Sequence, residues 1–193
     1  MKIGCVLLAA GAGKRFGGNK LLHEVCGEPM IERALERFSA FSFCARVCIV
    51  RPEAETIHSL ARGKRFSAVI NPDPDRGVGT SAAIGTKSVL SLCPEADGIL
   101  FAVCDQPNLR HASVQRLLTA FEAHPERIVS LSFAGVRGNP AVFPKSVFGE
   151  LEALTGDVGG GAVIRRHPEM LTLTEAETKD ELIDIDTRTD RKR

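Results

Sequence analysis

The chain has 193 residues, 44% of them hydrophobic, with 25 Lys and Arg against 24 Asp and Glu for a formal net charge of +1. This is the composition of an ordinary globular protein with enough apolar material for one core, and one domain over residues 1–193 is expected. The balanced charge excludes a global field that would gather nucleic acid or an anionic membrane, no apolar stretch approaches a membrane span, and any anion site must therefore be local.

Lys2 followed by an apolar run ending in small residues has the outline of a secretory leader. Cleavage near Ala10 or Ala12 would cut through a glycine-rich loop, however, and the run reads better as a parallel strand covered on both faces. Cys5, Cys26, Cys44, Cys48, Cys93 and Cys104 form no C-x-x-C pair and read as thiols of a reducing cytoplasm, which is the expected location. Cys44 and Cys48 lack two further ligands, so zinc is not expected there. Apolar runs at 3–8, 46–50, 68–70, 98–103, 128–133 and 140–143 predict strands. Helical periodicity predicts helices at 29–37, 54–61, 80–92, 112–123, 145–154 and 161–167, and a last short strand is expected at 182–185. This alternation predicts an α/β fold with a mostly parallel sheet.

Ligands of such sheets collect beyond the carboxyl ends of the strands, and the loops there carry the chemistry. The first strand runs into Ala9-Ala10-Gly11-Ala12-Gly13-Lys14-Arg15-Phe16-Gly17-Gly18-Asn19-Lys20-Leu21-Leu22. Small residues let backbone N–H groups approach an anion, and Lys14, Arg15 and Lys20 add full charge, a combination suited to a polyphosphate. A dinucleotide fingerprint starting at Gly11 would need glycine where Phe16 stands. A G-x-x-x-x-G-K-[ST] loop starting at Gly13 would need lysine at Asn19 and a hydroxyl at Leu21, so both better-known glycine loops are excluded.

Asp105 follows the apolar run Ile99-Leu100-Phe101-Ala102-Val103, where a carboxylate is costly unless it is hydrated, paired or bound to metal. Magnesium, which uses one or two carboxylates with phosphate oxygens and water, would meet that cost; so would a cap on the following turn. Alternation along a strand would place Asp184 and Asp186 on one face, either as a second metal arm or as a solvated edge. In the loop from Asn71 to Ser81, Gly77 and Gly79 permit close approach, and Thr80 or Ser81 is placed to cap the next helix. The five histidines share no spacing of a metal site or triad.

The pattern L-A-A-G-x-x-x-R-[FM]-G-x-x-K-L-L, met from Leu8 through Leu22, resembles the MobA-like nucleotidyltransferases, most closely the molybdenum cofactor cytidylyltransferases. The resemblance extends over nearly the whole chain and implies a three-layer α/β/α Rossmann-like nucleotidyltransferase fold with a mostly parallel mixed sheet. It also implies transfer of CMP from CTP to the terminal phosphate of molybdopterin or the molybdenum cofactor, with release of pyrophosphate and with Mg²⁺ as cofactor. Leu8, Ala9, Ala10, Gly11, Gly13, Lys14, Arg15, Lys20, Asn71, Gly77, Gly79, Ser81 and Asp105 would bind the nucleotide. Lys20, Arg15 and Asp105 would be catalytic, and Asp105 and Asp186 would hold the metal.

Arg137-Gly138-Asn139-Pro140 is similar to the family's R-G-H-P turn, with Asn139 in place of histidine. Gly156-Asp157-Val158-Gly159-Gly160-Gly161 is similar to G-D-x-G-A-R, with Gly161 in place of arginine. Gln106, Asn139, Pro140, Asp157 and Gly159 are accordingly expected on the acceptor side, with Arg165 or Arg166 available to replace the missing arginine; the same glycine run would also serve as a plain loop before a helix. The ending Asp184-Ile185-Asp186-Thr187 is similar to D-[IV]-D-T-P-E-D but departs from it at Arg188 and Thr189. The implied partner is a molybdoenzyme of the xanthine dehydrogenase type. Guanylyl transfer to the same pterin, transfer to a sugar or isoprenoid phosphate, and non-catalytic delivery of cofactor to a molybdoenzyme are the alternatives.

Overall fold

The apolar run near the N-terminus becomes the central strand β1 (Ile3–Leu8) in the computed structural model, which describes residues 1–11, 13 and 16–187. The phosphate contacts expected of Lys14 and Arg15, and the tail from residue 188, lie outside the described residues. After β1 come a small hairpin of β2 (Glu24–Val25) and β3 (Glu28–Pro29), then α1 (Met30–Ser39), β4 (Ala45–Val50), α2 (Glu55–Gly63), β5 (Ser67–Ile70) and α3 (Val78–Leu92). The second half supplies β6 (Gly98–Val103), α4 (His111–Ala123), β7 (Ile128–Phe133), β8 (Val136–Pro144), α5 (Phe148–Glu152), α6 (Gly160–Arg166) and β9 (Leu171–Glu175).

Seven strands form one sheet in the order β5-β4-β1-β6-β8-β7-β9. β1 is parallel to both β4 and β6, with Leu8 opposite Ile49 on one side and Val103 on the other. β8 runs antiparallel to β6 and β7, while β9 is parallel to β7, so the sheet is mixed but mostly parallel, as expected. The chain winds outward from β1 to β4 and β5, then crosses back to β6 on the other side of β1. Such a reversal opens a crevice at the carboxyl ends of the two central strands.

Helices cover both faces. α1, α2 and α4 bury Leu35, Phe38, Ile57, Leu117 and Phe121 against Leu7, whereas α3, α5 and α6 bury Val89, Phe148, Leu151 and Val163 against Val6. Full burial of each such side chain contributes about 1.5–3 kcal/mol before chain entropy is charged. α3 sits unusually close to the sheet, because a Cβ on Gly85 would fall 2.5 Å from Val6 Cγ1. That approach carries the N-terminus of α3 to the crevice.

Four sequence expectations change. The predicted last strand at 182–185 is absent: Lys179–Leu182 is a 3₁₀ turn, and the segment beyond it makes one ladder-like bond, Ile185 N–H to the Asp105 carbonyl at 3.0 Å. The segment meets the chain just beyond β6, which is already paired on both sides by β1 and β8, so it has no free strand edge to extend there. The true last strand is β9, whose Leu-Thr-Leu-Thr alternation is a period-two signal. Helix α3 begins at Val78, earlier than expected, with Gly77 as its N-cap at φ 110°, so Thr80 and Ser81 lie inside its first turn and do not cap it. Finally, the Arg137–Pro140 turn is a bulge inside β8. Ser130 pairs with Ala141 but Ser132 with Arg137, and Ser130 Oγ donates to the Gly138 carbonyl at 2.8 Å.

Candidate active site

Lys20 leaves the glycine loop in a short 3₁₀ turn, Lys20–Leu22, anchored by buried Leu21. From there its ammonium crosses the crevice and donates to Asp105 Oδ2 at 2.7 Å and Asp186 Oδ1 at 2.9 Å. Adjacency of β1 and β6 explains the first contact, since both residues follow the carboxyl ends of paired strands. The second contact brings in a residue from the far end of the chain. Burial alone would lower the Lys20 pKa, but hydrogen bonds and charge from the two carboxylates outweigh it, so the ammonium titrates above its ordinary value and stays protonated. Asp105 Oδ1 is buried with no hydrogen-bond partner.

Several side chains hold this arrangement. Arg33 and Arg37, one turn apart on α1, both donate to the Pro107 carbonyl, at 3.4 and 2.9 Å, and so fix the loop carrying Asp105. Gln106, 4% exposed, donates to the Leu182 carbonyl at 3.2 Å and to Asp184 Oδ1 at 2.9 Å. Its amide therefore ties the Asp105 loop to the C-terminal segment. Glu181, fully buried, accepts from the backbone N–H groups of Arg110, Glu177 and Thr178 at 3.0, 2.8 and 3.1 Å, closing a capping box at Thr178. The segment that ends in Asp186 is thus clamped without being a strand.

Asp184 faces away from Lys20's hydrogen bonds and toward Gln106. Burial first, then the negative charge of Asp105, lifts its carboxyl above the ordinary 3.8, only partly offset by Gln106. The native state consequently holds this proton to higher pH than the unfolded chain, and stability declines as pH rises across the interval above 3.8. Asp184→Asn, which keeps an oxygen for Gln106, is expected to gain in Tm over the wild type between about pH 4 and about pH 7, with the gain vanishing at the acid end. Thermal melts across that range check this; a pH-independent difference would contradict it.

The opposite wall is built by α3 and two loops. Asn71, 1% exposed, donates to Thr80 Oγ1 at 3.0 Å and Ser81 Oγ at 2.9 Å, while its own Oδ1 accepts from the Asp73 N–H at 3.0 Å. Thr80 in turn donates to the Gly77 carbonyl at 2.7 Å. Gly77 is pressed against the Gly156–Asp157 backbone, where a Cβ would meet Gly156 O and Asp157 Oδ1 at 2.4 Å, and the Gly79 N–H donates to the Gly156 carbonyl at 2.8 Å. The loop from Asn71 to Gly79 and the Gly156–Asp157 loop are therefore packed together. Arg51, on β4's exit, donates to the Ala10 carbonyl at 3.3 Å and to Asp75 at 3.4 Å, bracing the rim between them.

Between these walls lies a cavity of about 420 Å³. Of the residues expected from sequence, Leu8, Ala10, Gly11, Gly13, Lys20, Gly77, Ser81, Asp105, Asp157 and Asp186 line it. Ala9 points into the opposite core, Asn71 and Gly79 shape the wall from behind, and Gln106 binds the C-terminal segment. Asn139 and Pro140 sit in the β8 bulge, and Gly159 is the N-cap of α6. Leu21, Pro74, Asp75, Val78, Val103 and Cys104 complete the lining without having been singled out. Leu21, Pro74, Asp75 and Val78 fall within the quoted motifs, and Val103 and Cys104 directly precede Asp105. Arg33, Arg37, Arg51 and Glu181 carried no motif signal, because their partners lie far along the chain.

Among the described lining residues Asp75, Asp105, Asp157 and Asp186 face a single ammonium, that of Lys20. A polyphosphate could enter such a cleft only with additional positive charge. The N-terminal turn of α3 at Val78–Ser81 supplies N–H groups and a positive dipole end. Among the described residues no group of three or more His, Cys, Asp or Glu could hold a metal ion, and no helix is long and apolar enough to cross a membrane.

Residues 5–171 match the profile of the MobA-like NTP transferase domain. Purine catabolism protein PucB of Bacillus subtilis (strain 168) is 30% identical over 190 residues, covering 94% of this chain and 90% of PucB. Nicotine blue oxidoreductase of Paenarthrobacter nicotinovorans is 29% identical over 191 residues, covering 94% and 91%. Among solved structures, Rv0371c from Mycobacterium tuberculosis H37Rv aligns with a TM-score of 0.82 at 26% identity, covering 97% of this chain and 93% of that one. Its manganese complex aligns with a TM-score of 0.74 at 24% identity, covering 94% and 96%.

Proposed function

Because the chain belongs to the MobA-like NTP transferase family, we propose that its cleft transfers CMP from CTP to the terminal phosphate of molybdopterin or the molybdenum cofactor, releasing pyrophosphate. The observation that carries this reading is Lys20, a charged lysine held between Asp105 and Asp186 where the central strands end. The carboxylate pair fits a divalent cation of the Mg²⁺ type. One oxygen of Asp105 is buried and unpartnered, and Mg²⁺ takes one or two carboxylates when substrate phosphates complete its shell. When bound on Asp105 and Asp186, Mg²⁺ would offset charge on the triphosphate and the acceptor. The manganese found with Rv0371c supports a divalent cation here.

The acceptor phosphate oxygen attacks the α-phosphorus, the bond to the leaving pyrophosphate breaks, and a new phosphoanhydride joins CMP to the acceptor. That oxygen is already anionic, so no protein nucleophile is required and no base need remove a proton. The residues' task is positioning and charge stabilisation. Lys20 meets the charge that develops on the transferred phosphoryl group, Lys14 and Arg15 meet the leaving β- and γ-phosphates, and the first turn of α3 offers backbone donors. The interlocked Gly77 and Gly156–Asp157 backbones keep nucleotide and acceptor loops in register.

Ala10 supports the choice of base. It lines the cleft, is only 5% exposed, and its carbonyl is pinned by Arg51. In guanylyl-transferring relatives the loop reads L-A-G-G, and the methyl group of Ala10 would fill space that a purine needs. Ala10→Gly is therefore expected to narrow the preference for CTP over GTP by about 10- to 200-fold, since one methyl-sized change discriminates by about 1–3 kcal/mol. Comparing kcat/KM for all four NTPs in both proteins tests the assignment; a wild-type preference for GTP would promote the guanylyl alternative, and binding without turnover would promote cofactor delivery.

A further inference from the structure

We propose that the free edge of β5 docks a second copy of this chain, the two β5 strands pairing antiparallel about a two-fold axis through Val69 so that the two sheets become one. β5 is an edge strand whose register with β4 runs from Ser67 to Ile70 without a break. Just beyond it the Asn71 N–H donates to the Val50 carbonyl at 2.9 Å, so by alternation the N–H and C=O groups of Ser67 and Val69 also face β4. Those of Ala68 and Ile70 face outward. Ser-Ala-Val-Ile contains neither a charge nor a proline, the usual devices that keep a strand edge from pairing. The opposite edge is different: β9 ends in Glu175, and Arg127 donates to its Leu171 carbonyl at 3.0 Å.

A surface that meets its own copy across a two-fold axis must be complementary to itself, and β5 is. With the axis at Val69, Ala68 of each copy exchanges its outward backbone hydrogen bonds with Ile70 of the other, and Val69 meets Val69 as a close, non-hydrogen-bonded pair of β-branched side chains. Ile70, 48% exposed, then lies beside Ala68 of the second copy on the α2 face of the sheet. The charges agree with this direction. Arg65 lies four residues before Val69 and Asp73 four residues after it, so antiparallel pairing sends Arg65 of each copy toward Asp73 of the other. At the Arg65 end the surface is a depression lined by His58, Arg62, Arg65, Phe66, Ser67 and Ala68, with no carboxylate in the lining. At the other end the Asp73 side chain is 58% exposed, and its ion pair to Arg76 Nε at 3.7 Å is an exposed one that contributes little. A strand with cations at one end and a carboxylate at the other repels itself in parallel and attracts itself in antiparallel pairing. No residue of β5 lines the cleft, so the interface is tested apart from turnover.

Sedimentation velocity over a concentration series is expected to show a reversible monomer–dimer equilibrium in the wild type. Ala68→Pro removes an outward N–H without touching the ladder to β4, and Arg65→Glu sets carboxylates against each other at both ends; each variant should sediment as a monomer. The charge swap Arg65→Glu/Asp73→Arg should dimerise again. In a Cys26→Ser/Cys44→Ser background, which removes the exposed native thiols, Val69→Cys should cross-link to its own copy under copper phenanthroline, whereas Ser67→Cys, two residues off the axis in each copy, should not. A wild type that stays monomeric at millimolar concentration would overturn the proposal. So would a dimer that survives Arg65→Glu, or one that cross-links through Ser67→Cys and not through Val69→Cys. If Ala68→Pro fails to fold, the charge swap and the cross-link decide.

Discussion

Lys20→Ala is expected to lower kcat by about 10²–10³-fold, the usual effect of removing one preorganised donor from a developing phosphoryl charge. The substitution removes a charged group that is 12% exposed and donates to both Asp105 Oδ2 and Asp186 Oδ1. Some loss of stability should therefore accompany the kinetic effect, and a thermal melt must be read beside the rates. The vacated place also gives a result that a merely structural lysine would not. With the ammonium gone, its positive charge no longer offsets the two carboxylates, so Mn²⁺ binding measured by electron paramagnetic resonance without nucleotide should tighten relative to wild type. Turnover within a few-fold of wild type would remove Lys20 from the mechanism.

Asp105→Asn should abolish measurable metal-dependent turnover, and Asp186→Asn should be severe but weaker. Asparagine keeps the shape and an oxygen for Lys20 but loses the charge that attracts a divalent cation. The difference between the two follows from their settings: the Asp105 side chain is 22% exposed with one buried unpartnered oxygen, whereas the Asp186 side chain is 39% exposed on a segment held by Gln106 and Glu181. Calorimetry of CTP with Mg²⁺ should show the same ranking in affinity. Unchanged binding and unchanged rates in Asp105→Asn would refute the metal assignment.

How much of this was legible in the sequence depended on how local the signal was. Lys20 and Asp105 could be placed at one site because the glycine loop carrying Lys20 follows β1 and Asp105 follows β6, and doubly wound sheets bring such strand ends together. Alternation put Asp184 and Asp186 on one face and the resemblance pointed to Asp186, yet the strand invoked to place them is absent. Asp186 reaches Lys20 because Ile185 is hooked to the Asp105 carbonyl, and Asp184 turns to Gln106. Strand β9 was missed although Leu171-Thr172-Leu173-Thr174 alternates cleanly, because a short edge strand carries little buried apolar surface. The supports provided by Arg33, Arg37 and Glu181 were out of reach of any local pattern: each is an ordinary helix or turn residue until the fold delivers Pro107 or Arg110 to it.

The central claim is that this cleft moves the α-phosphoryl group of CTP, and it is tested most directly by following [α-³²P]CTP and [γ-³²P]CTP separately in the presence of Mg²⁺ and molybdopterin. The account predicts that α-label enters the pterin product in one-to-one proportion with pyrophosphate released, that γ-label leaves only as pyrophosphate, and that Lys20→Ala slows both together. Pyrophosphate release without α-label in the product, or γ-label on the pterin, would contradict it.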